Sequence, residues 1–358
     1  MRDGPILLRF RSVALPLLIL ILGGLLALLG GCREIPSDRL YALYLDHPPT
    51  RSDWERALPR LVTVRGGQLH KRVSLADIDN DTVHVTTASC HHGASLPDPV
   101  AVAVRAFYTD SDLYLELSWE DATRDDRMKQ WRYDGELWQN SQALEDGFGI
   151  LWDASDSFRD FSCSYACHID NFGVSKANFH ATNRMKLVRD DAWLDLWNWK
   201  AQRTNRYGFA DDRYLDSEGM HRDLPGELFR PNSRYFVAGD DPSAFSEGDA
   251  PLYDNDGEAV ENRFIPVDTR APGYITERPL GGRSDIVANG VWSEGRWRVM
   301  LRRALTSGDP HDVDFAAHGE KGITFGLSLM DNTLREHYAS NTREQLVLLP
   351  RSRSQISR

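Results

Sequence analysis

No glycine-rich nucleotide loop, hydrolytic triad or molybdenum-site signature can be read in these 358 residues. Internal repeats and low-complexity tracts are missing too. Positive charge is in deficit: 42 Lys and Arg stand against 53 Asp and Glu, a formal net charge of −11. An acidic surface argues against nucleic acid as a partner. Cysteine is scarce, with only Cys32, Cys90, Cys163 and Cys167. Aromatic residues are not: ten Trp, 12 Tyr and 14 Phe supply ample core material.

The N-terminus reads as an address. Arg2, Arg9 and Arg11 precede an apolar run from Val13 to Leu29, and Gly30 and Gly31 lead into Cys32. That is the layout of a secretory signal peptide, with a cysteine able to carry diacylglycerol at the cleavage point. An uncleaved membrane helix is the other reading, since the run is just long enough. Cleavage before Cys32 moves the net charge from −11 to −13, because three Arg and one Asp leave with residues 1–31. The expected organisation is a lipoprotein signal peptide over 1–31, a lipidated tether over 32–50, one domain over 51–350 and a tail over 351–358. The expected location is the cell envelope, facing the periplasm and held by lipid. Arg33 does not resemble an inner-membrane retention signal, which tilts the expectation toward the outer membrane.

The pattern of the domain is one of strands, over 83–87, 100–108 and 113–119, with period two clear in the first and last, and a short apolar run over 148–152 predicts another. The polar turn at Asp110, Ser111 and Asp112 joins two of them into a hairpin. Residues 290–301 read as two strands around Ser293, Glu294 and Gly295, with further strands over 322–329 and 345–349. Residues 205–285 are rich in Asp, Gly, Pro and Arg and predict long surface loops. The fold expected is mainly β, a twisted β-sandwich with helices and long loops at one end.

The chemistry-bearing segment is Cys163-Ser164-Tyr165-Ala166-Cys167-His168. If Cys32 is lipidated, three cysteines remain, and three cannot all pair internally. Two thiols can add to the vinyl groups of a haem, and a histidine beside the second can reach the iron. The spacing here is one residue longer than the usual attachment motif. A small disulfide loop or a metal site are the other readings, although zinc would want further ligands close by. In the haem reading Cys163 and Cys167 bind one haem c and His168 is the proximal ligand. His180, Met185 and His337 are candidates for the iron's other side.

Several stretches resemble the haem-binding domain of the ethylbenzene dehydrogenase family, related to the haem subunit of some molybdenum enzymes of the dimethyl-sulfoxide-reductase group. They are residues 104–106 with 113–123, the cysteine segment, 195–204, 209–215 and 297–305. The most specific is Trp197-Asn198-Trp199-Lys200-Ala201-Gln202-Arg203-Thr204. The resemblance covers roughly residues 50–350, and 220–285 matches poorly. It implies a β-sandwich holding one haem near one end. It raises His180, in His180-Ala181-Thr182, to the sixth ligand, with His337 and Met185 behind it. It also implies that Lys200 pairs with a haem propionate. Cys90, His91 and His92 depart from the family pattern.

The function expected on these grounds is a monohaem c-type cytochrome in electron transfer, without independent catalysis. Its partner would be a redox protein, a molybdenum oxidoreductase or a membrane electron-transport component. Two other functions stay open: a haem sensor or enzyme with an open iron site, and a haem-free binding module with a Cys163–Cys167 disulfide.

Overall fold

The computed structural model describes residues 39–65, 100–154, 167–168, 185–186, 191–216, 219–222, 228–234, 248–260, 264–277, 281–332, 338–340 and 344–351. The chain divides into Met1–Ser37 and Asp38–Arg358, and every described residue belongs to the second unit. Its elements run β1 (Arg39–Tyr44), α1 (Arg51–Arg56), β2 (Arg60–Arg65), β3 (Val100–Tyr108), β4 (Asp112–Glu120), β5 (Trp131–Tyr133), β6 (Trp138–Asn140) and β7 (Gly147–Trp152). Then come β8 (Cys167–His168), β9 (Met185–Lys186), β10 (Leu194–Lys200), β11 (Asp211–Asp216), β12 (Gly219–Arg222), β13 (Phe229–Pro231), β14 (Arg270–Ala271) and β15 (Tyr274–Thr276). The chain closes with β16 (Val287–Ser293), β17 (Arg296–Ala304), α2 (Phe315–His318), β18 (Ile323–Met330), β19 (Tyr338–Ser340) and β20 (Glu344–Leu348).

Thirteen of these strands form one sheet in the order β12-β11-β10-β7-β18-β19-β2-β3-β4-β17-β16, with β1 and β20 beside it. The sheet folds over because two strands change partners along their length. β3 pairs with β2 through Val100–Val104 and with β1 through Ala106–Tyr108. β18 pairs with β20 through Ile323–Phe325 and with β19 at Ser328 and Leu329. β1 lies parallel to both β20 and β3 and so links the chain's two ends. The result is a mainly β, sandwich-like fold with few helices.

The core sits between the two halves of the folded sheet. Trp119 and Trp297 face each other across β4 and β17, and Phe148 and Trp199 do so across β7 and β10. The four rings meet in the middle: Trp199 lies 5.2 Å from Trp297, 5.5 Å from Phe148 and 6.3 Å from Trp119, centroid to centroid. Aromatic rings in offset and edge-on contact add to their area burial. β17 alternates cleanly, with Trp297, Val299, Leu301 and Arg303 inward. β7 is buried at all six positions. A strand covered on both faces carries a continuous apolar run rather than an alternating one.

One edge of the sheet is closed without a strand. β16 ends the order, and residues 205–210 run along it. Ala288 N donates to Gly208 O at 3.0 Å, and Ala210 N donates to Ile286 O at 2.9 Å. Asn205 does the rest with its side chain. Its Oδ1 accepts from Gly290 N at 2.6 Å, and its Nδ2 donates to Gly290 O at 2.9 Å. Gly208, at φ +75°, makes the left-handed turn that brings the chain back.

Three expectations are corrected here. Arg39–Tyr44, assigned to a tether, is a paired strand of the sheet. The stretch 205–285 is not only loop, since β11 to β15 lie within it. The helices expected at one end amount, among the described residues, to α1 and α2 and two short 3-10 turns. The strand expected over 83–87 lies outside the described residues.

Candidate functional site

Of the residues singled out for haem, Cys163, His180 and His337 lie outside the described residues, as do Cys32, Cys90, His91 and His92. The backbones of Cys167 and His168 form β8, paired antiparallel with Lys186 and Met185 of β9. That ribbon places Met185 directly across from His168.

Lys200 is described in full. It ends β10 on the face opposite Trp197 and Trp199, because side chains alternate along a strand. Its Nζ lies 3.2 Å from Asp211 Oδ2 and 5.0 Å from the centre of the Phe229 ring. The partner that the structure gives it is thus a protein carboxylate, where a propionate was expected. Arg283 Nε donates to the other oxygen of Asp211 at 2.9 Å, and Arg213 Nε stands 3.6 Å from Oδ2. Desolvation opposes the charge on both partners. Lys200 falls to about 8, with Asp211 partly offsetting its burial. Asp211 ends at about 2, because Lys200 and two arginines outweigh burial.

Asp212, the next residue, points to the other face and joins a second buried cluster. Arg303 lies there with no exposed surface, 3.3 Å from Asp195, 3.6 Å from Asp285 and 3.8 Å from Asp212, and it also pairs with Asp312. Asp195 Oδ2 accepts from Val313 N at 3.1 Å. The guanidinium sits over Trp197 and Phe315, 5.4 and 5.9 Å from their centres. Oxygens of Asp195, Asp212 and Asp312 converge within 4.8 Å, a spacing that would suit a metal ion. Arg303 already supplies the cation they surround. These carboxylates hold the guanidinium firmly protonated against its burial. Neither cluster was legible as a site. Asp211, Asp212 and Arg303 belong to quoted stretches, but charged residues in a strand read as surface until partners are known.

An open cleft of about 290 Å³ lies beside the first cluster. Its lining is polar: Arg124, Arg127, Gln130, Gln202, Asn205, Arg206 and Asn255, with Asp126, Met128, Ala201, Pro272 and Gly273. Its floor is pinned. Glu145 Oε2 accepts from the backbone of Gln202 at 2.8 Å and of Arg203 at 3.0 Å. Ala201 N donates to the Asp146 carbonyl at 2.9 Å. The wall over 124–128 is held by Asp146, whose Oδ2 accepts from Asp125 N and Trp297 Nε1, both at 2.9 Å. Gly273 is required where the walls meet, since a Cβ there would lie 2.1 Å from Lys129 O.

Behind that wall Asp121, Asp146 and Asp331 bring carboxylate oxygens within 4.8 Å of one another. Burial pushes Asp146 up to about 7 and Asp121 up to about 6, and nearby carboxylates add to the rise. Asp331 moves the same way. Gln202 lines the cleft, and its buried Oε1 has no hydrogen-bond partner among the described residues. Sequence reasoning missed the cleft because its lining comes from four separate segments.

A family model described as Ethylbenzene dehydrogenase matches residues 52–340. No curated protein matches the chain. Among solved structures, the chain is similar to a family 9 carbohydrate-binding module from Caldicellulosiruptor kristjanssonii in complex with glucose. Identity is 9%, the TM-score is 0.32, and 87% of this chain and 96% of that one are covered. A protein from Bacteroides uniformis ATCC 8492 described as carbohydrate-binding is similar at 8% identity and a TM-score of 0.28, covering 88% of this chain and 92% of that one. The expectation of a monohaem electron-transfer cytochrome is corrected at this point. The described elements form a mainly β, helix-poor sandwich, unlike a haem cytochrome. The haem-free binding module, held open by the sequence, is the reading these findings favour.

Proposed function

Because the chain belongs to the ethylbenzene dehydrogenase family, we propose that its β-sandwich serves as a haem-free binding module for a small polar ligand. The observation that carries this reading is the cleft of about 290 Å³, with guanidinium and amide groups converging on one opening. Small-molecule sites are concave, largely pre-formed and furnished with a few fixed polar groups. The cleft has that form: Glu145 and Asp146 hold its floor and wall. In this reading Cys163 and Cys167 close a short disulfide loop. Export and a lipid anchor at Cys32 belong to the same proposal and place the module on the periplasmic side of the envelope.

Two measurements test it. Acid–acetone extraction of the purified full chain is expected to release no haem and leave no pigment; haem retained through thioether bonds overturns the haem-free reading. Titration calorimetry with glucose, glucuronate and glucose 6-phosphate is expected to find binding to at least one. Asn255→Trp, at the exposed rim of the cleft, is expected to block that binding. Binding that the substitution leaves untouched places the site elsewhere.

A further inference from the structure

The charges in the cleft are not balanced by the cleft itself. Three arginines and one aspartate line it. Arg124 and Asp126 pair at 2.7 Å, which removes one of each sign. Arg206 gives one nitrogen to the Asn255 carbonyl, which bears no formal charge. Arg127 is exposed, and its guanidinium makes no ion pair among the described residues. Among the described lining residues, two positive charges are thus left at the opening.

The acidic groups nearby do not cancel them. Asp125 does not line the cleft; its carboxylate accepts from Thr123 Oγ1 at 2.6 Å and lies close enough to Asp121 and Asp331 to help push both of them up. Asp146 lies behind the wall and is held toward its neutral form by burial. Behind the floor, Lys200, Arg213 and Arg283 surround the single carboxylate of Asp211, and Arg203 pairs with Glu145.

The second requirement comes from Gln202, whose backbone is tied to Glu145 while its buried Oε1 lacks a donor. A buried acceptor without a donor costs about 1–3 kcal/mol, so a ligand that brings one gains on docking. A hydroxyl supplies that donor. A carboxylate or phosphate matches the guanidinium groups, which bind such anions through paired hydrogen bonds.

We infer that the cleft selects a small hydroxylated anion. Arg127 and Arg206 hold its acidic group, and its hydroxyl donates to Gln202 Oε1. The inference rests on the cleft being the binding site proposed above.

Three probes separate the terms. Glucose, glucuronate and glucose 6-phosphate share a ring and differ in the group at its sixth carbon: hydroxyl, carboxylate or phosphate. Titration calorimetry on the full chain is expected to give at least tenfold tighter binding for one or both charged sugars than for glucose. Which of the two binds tighter identifies the anion. Arg127→Ala is expected to weaken the charged sugar about tenfold more than it weakens glucose and, because Arg127 is exposed, to leave the melting temperature unchanged. Gln202→Leu is expected to weaken all three alike. Equal affinity for the three sugars at an Asn255→Trp-sensitive site overturns the inference and leaves the binding-module reading standing. Charged-sugar binding that Arg127→Ala does not alter overturns the inference too. Retained thioether haem defeats the earlier reading by its own test.

Discussion

Replacing Gly290 by alanine is expected to be one of the most destabilising single-methyl additions in the molecule. A Cβ at that position would lie 2.3 Å from Cζ2 of Trp199, 3.0 Å from Cε2 and 3.1 Å from Cη2. Carbon atoms in contact want about 3.5 Å or more, so the ring or strand β16 must shift by about 1 Å. Trp199 has no room to yield. It is fully buried, with Phe148 stacked 5.5 Å away and Trp297 edge-on at 5.2 Å. Its Nε1 also lies 3.3 Å from Asn205 Oδ1, the same oxygen that accepts from Gly290 N. A retreating ring therefore disturbs the closed edge as well. Overpacking of a tight core costs about 1–3 kcal/mol, and this site belongs at or above the upper end. Urea unfolding followed by tryptophan fluorescence measures it. Gly290→Ala should lower the midpoint with an unchanged slope, by the equivalent of about 3 kcal/mol. Trp199→Phe removes the atoms that clash. In that background the same alanine should cost at least about 1 kcal/mol less, as a double-mutant cycle reads it. A loss below about 0.5 kcal/mol in the wild-type background would refute the packing argument.

Three further outcomes follow. Asp121 stands near 6 when folded against 3.8 when unfolded, so its protonated form contributes stability that is lost as pH rises from about 4 through 6. Asp121→Asn keeps an acceptor for Thr123 N and should flatten that fall, gaining about 1–2 kcal/mol at pH 8 after solvent screening is allowed for; a pH profile parallel to wild type would sink this account. Arg303→Met leaves Asp195, Asp212 and Asp312 without their shared cation and should cost about 3–5 kcal/mol at pH 7; a midpoint within about 1 kcal/mol of wild type speaks against the cluster. Gly273→Ala should open the cleft walls and weaken sugar binding, which calorimetry checks; unchanged affinity would show that the close approach to Lys129 is dispensable.

The parts of the fold legible in the sequence are those where one strand face meets water. β3 was predicted over 100–108 and occurs there, and the turn at Asp110 to Asp112 does join it to β4. β17 alternates at every step, and so its hairpin with β16 was visible. β10 is buried on both faces, shows no alternation and was read only as a motif. β11 was taken for loop because Asp211, Asp212 and Arg213 look like surface; each is buried or half-buried against opposite charge. β1 was missed because its partners are β20 and β3, the first some 300 residues away, and no local pattern announces such a pairing. Trp197 and Trp199, quoted in the sequence only as part of a motif, have no exposed surface and belong to the core. The clusters at Asp211 and Arg303, and the cleft, depend on segments far apart in the chain, and spacing within one segment could not reveal them.

The closure of β16 by Asn205 bears on how the molecule behaves in a crowd of its own copies. A sheet edge with bare amide and carbonyl groups is a template for growth by addition of further chains. Here residues 205–210 occupy the template, and at Gly290 a single side-chain amide stands in for the missing strand. The protection is therefore granular: its weakest point is one residue, and its failure would be supramolecular before it was thermodynamic. A molecule damaged at Asn205 would still carry its tryptophan core, yet at high local concentration it would offer its neighbours a place to begin a continuous ribbon.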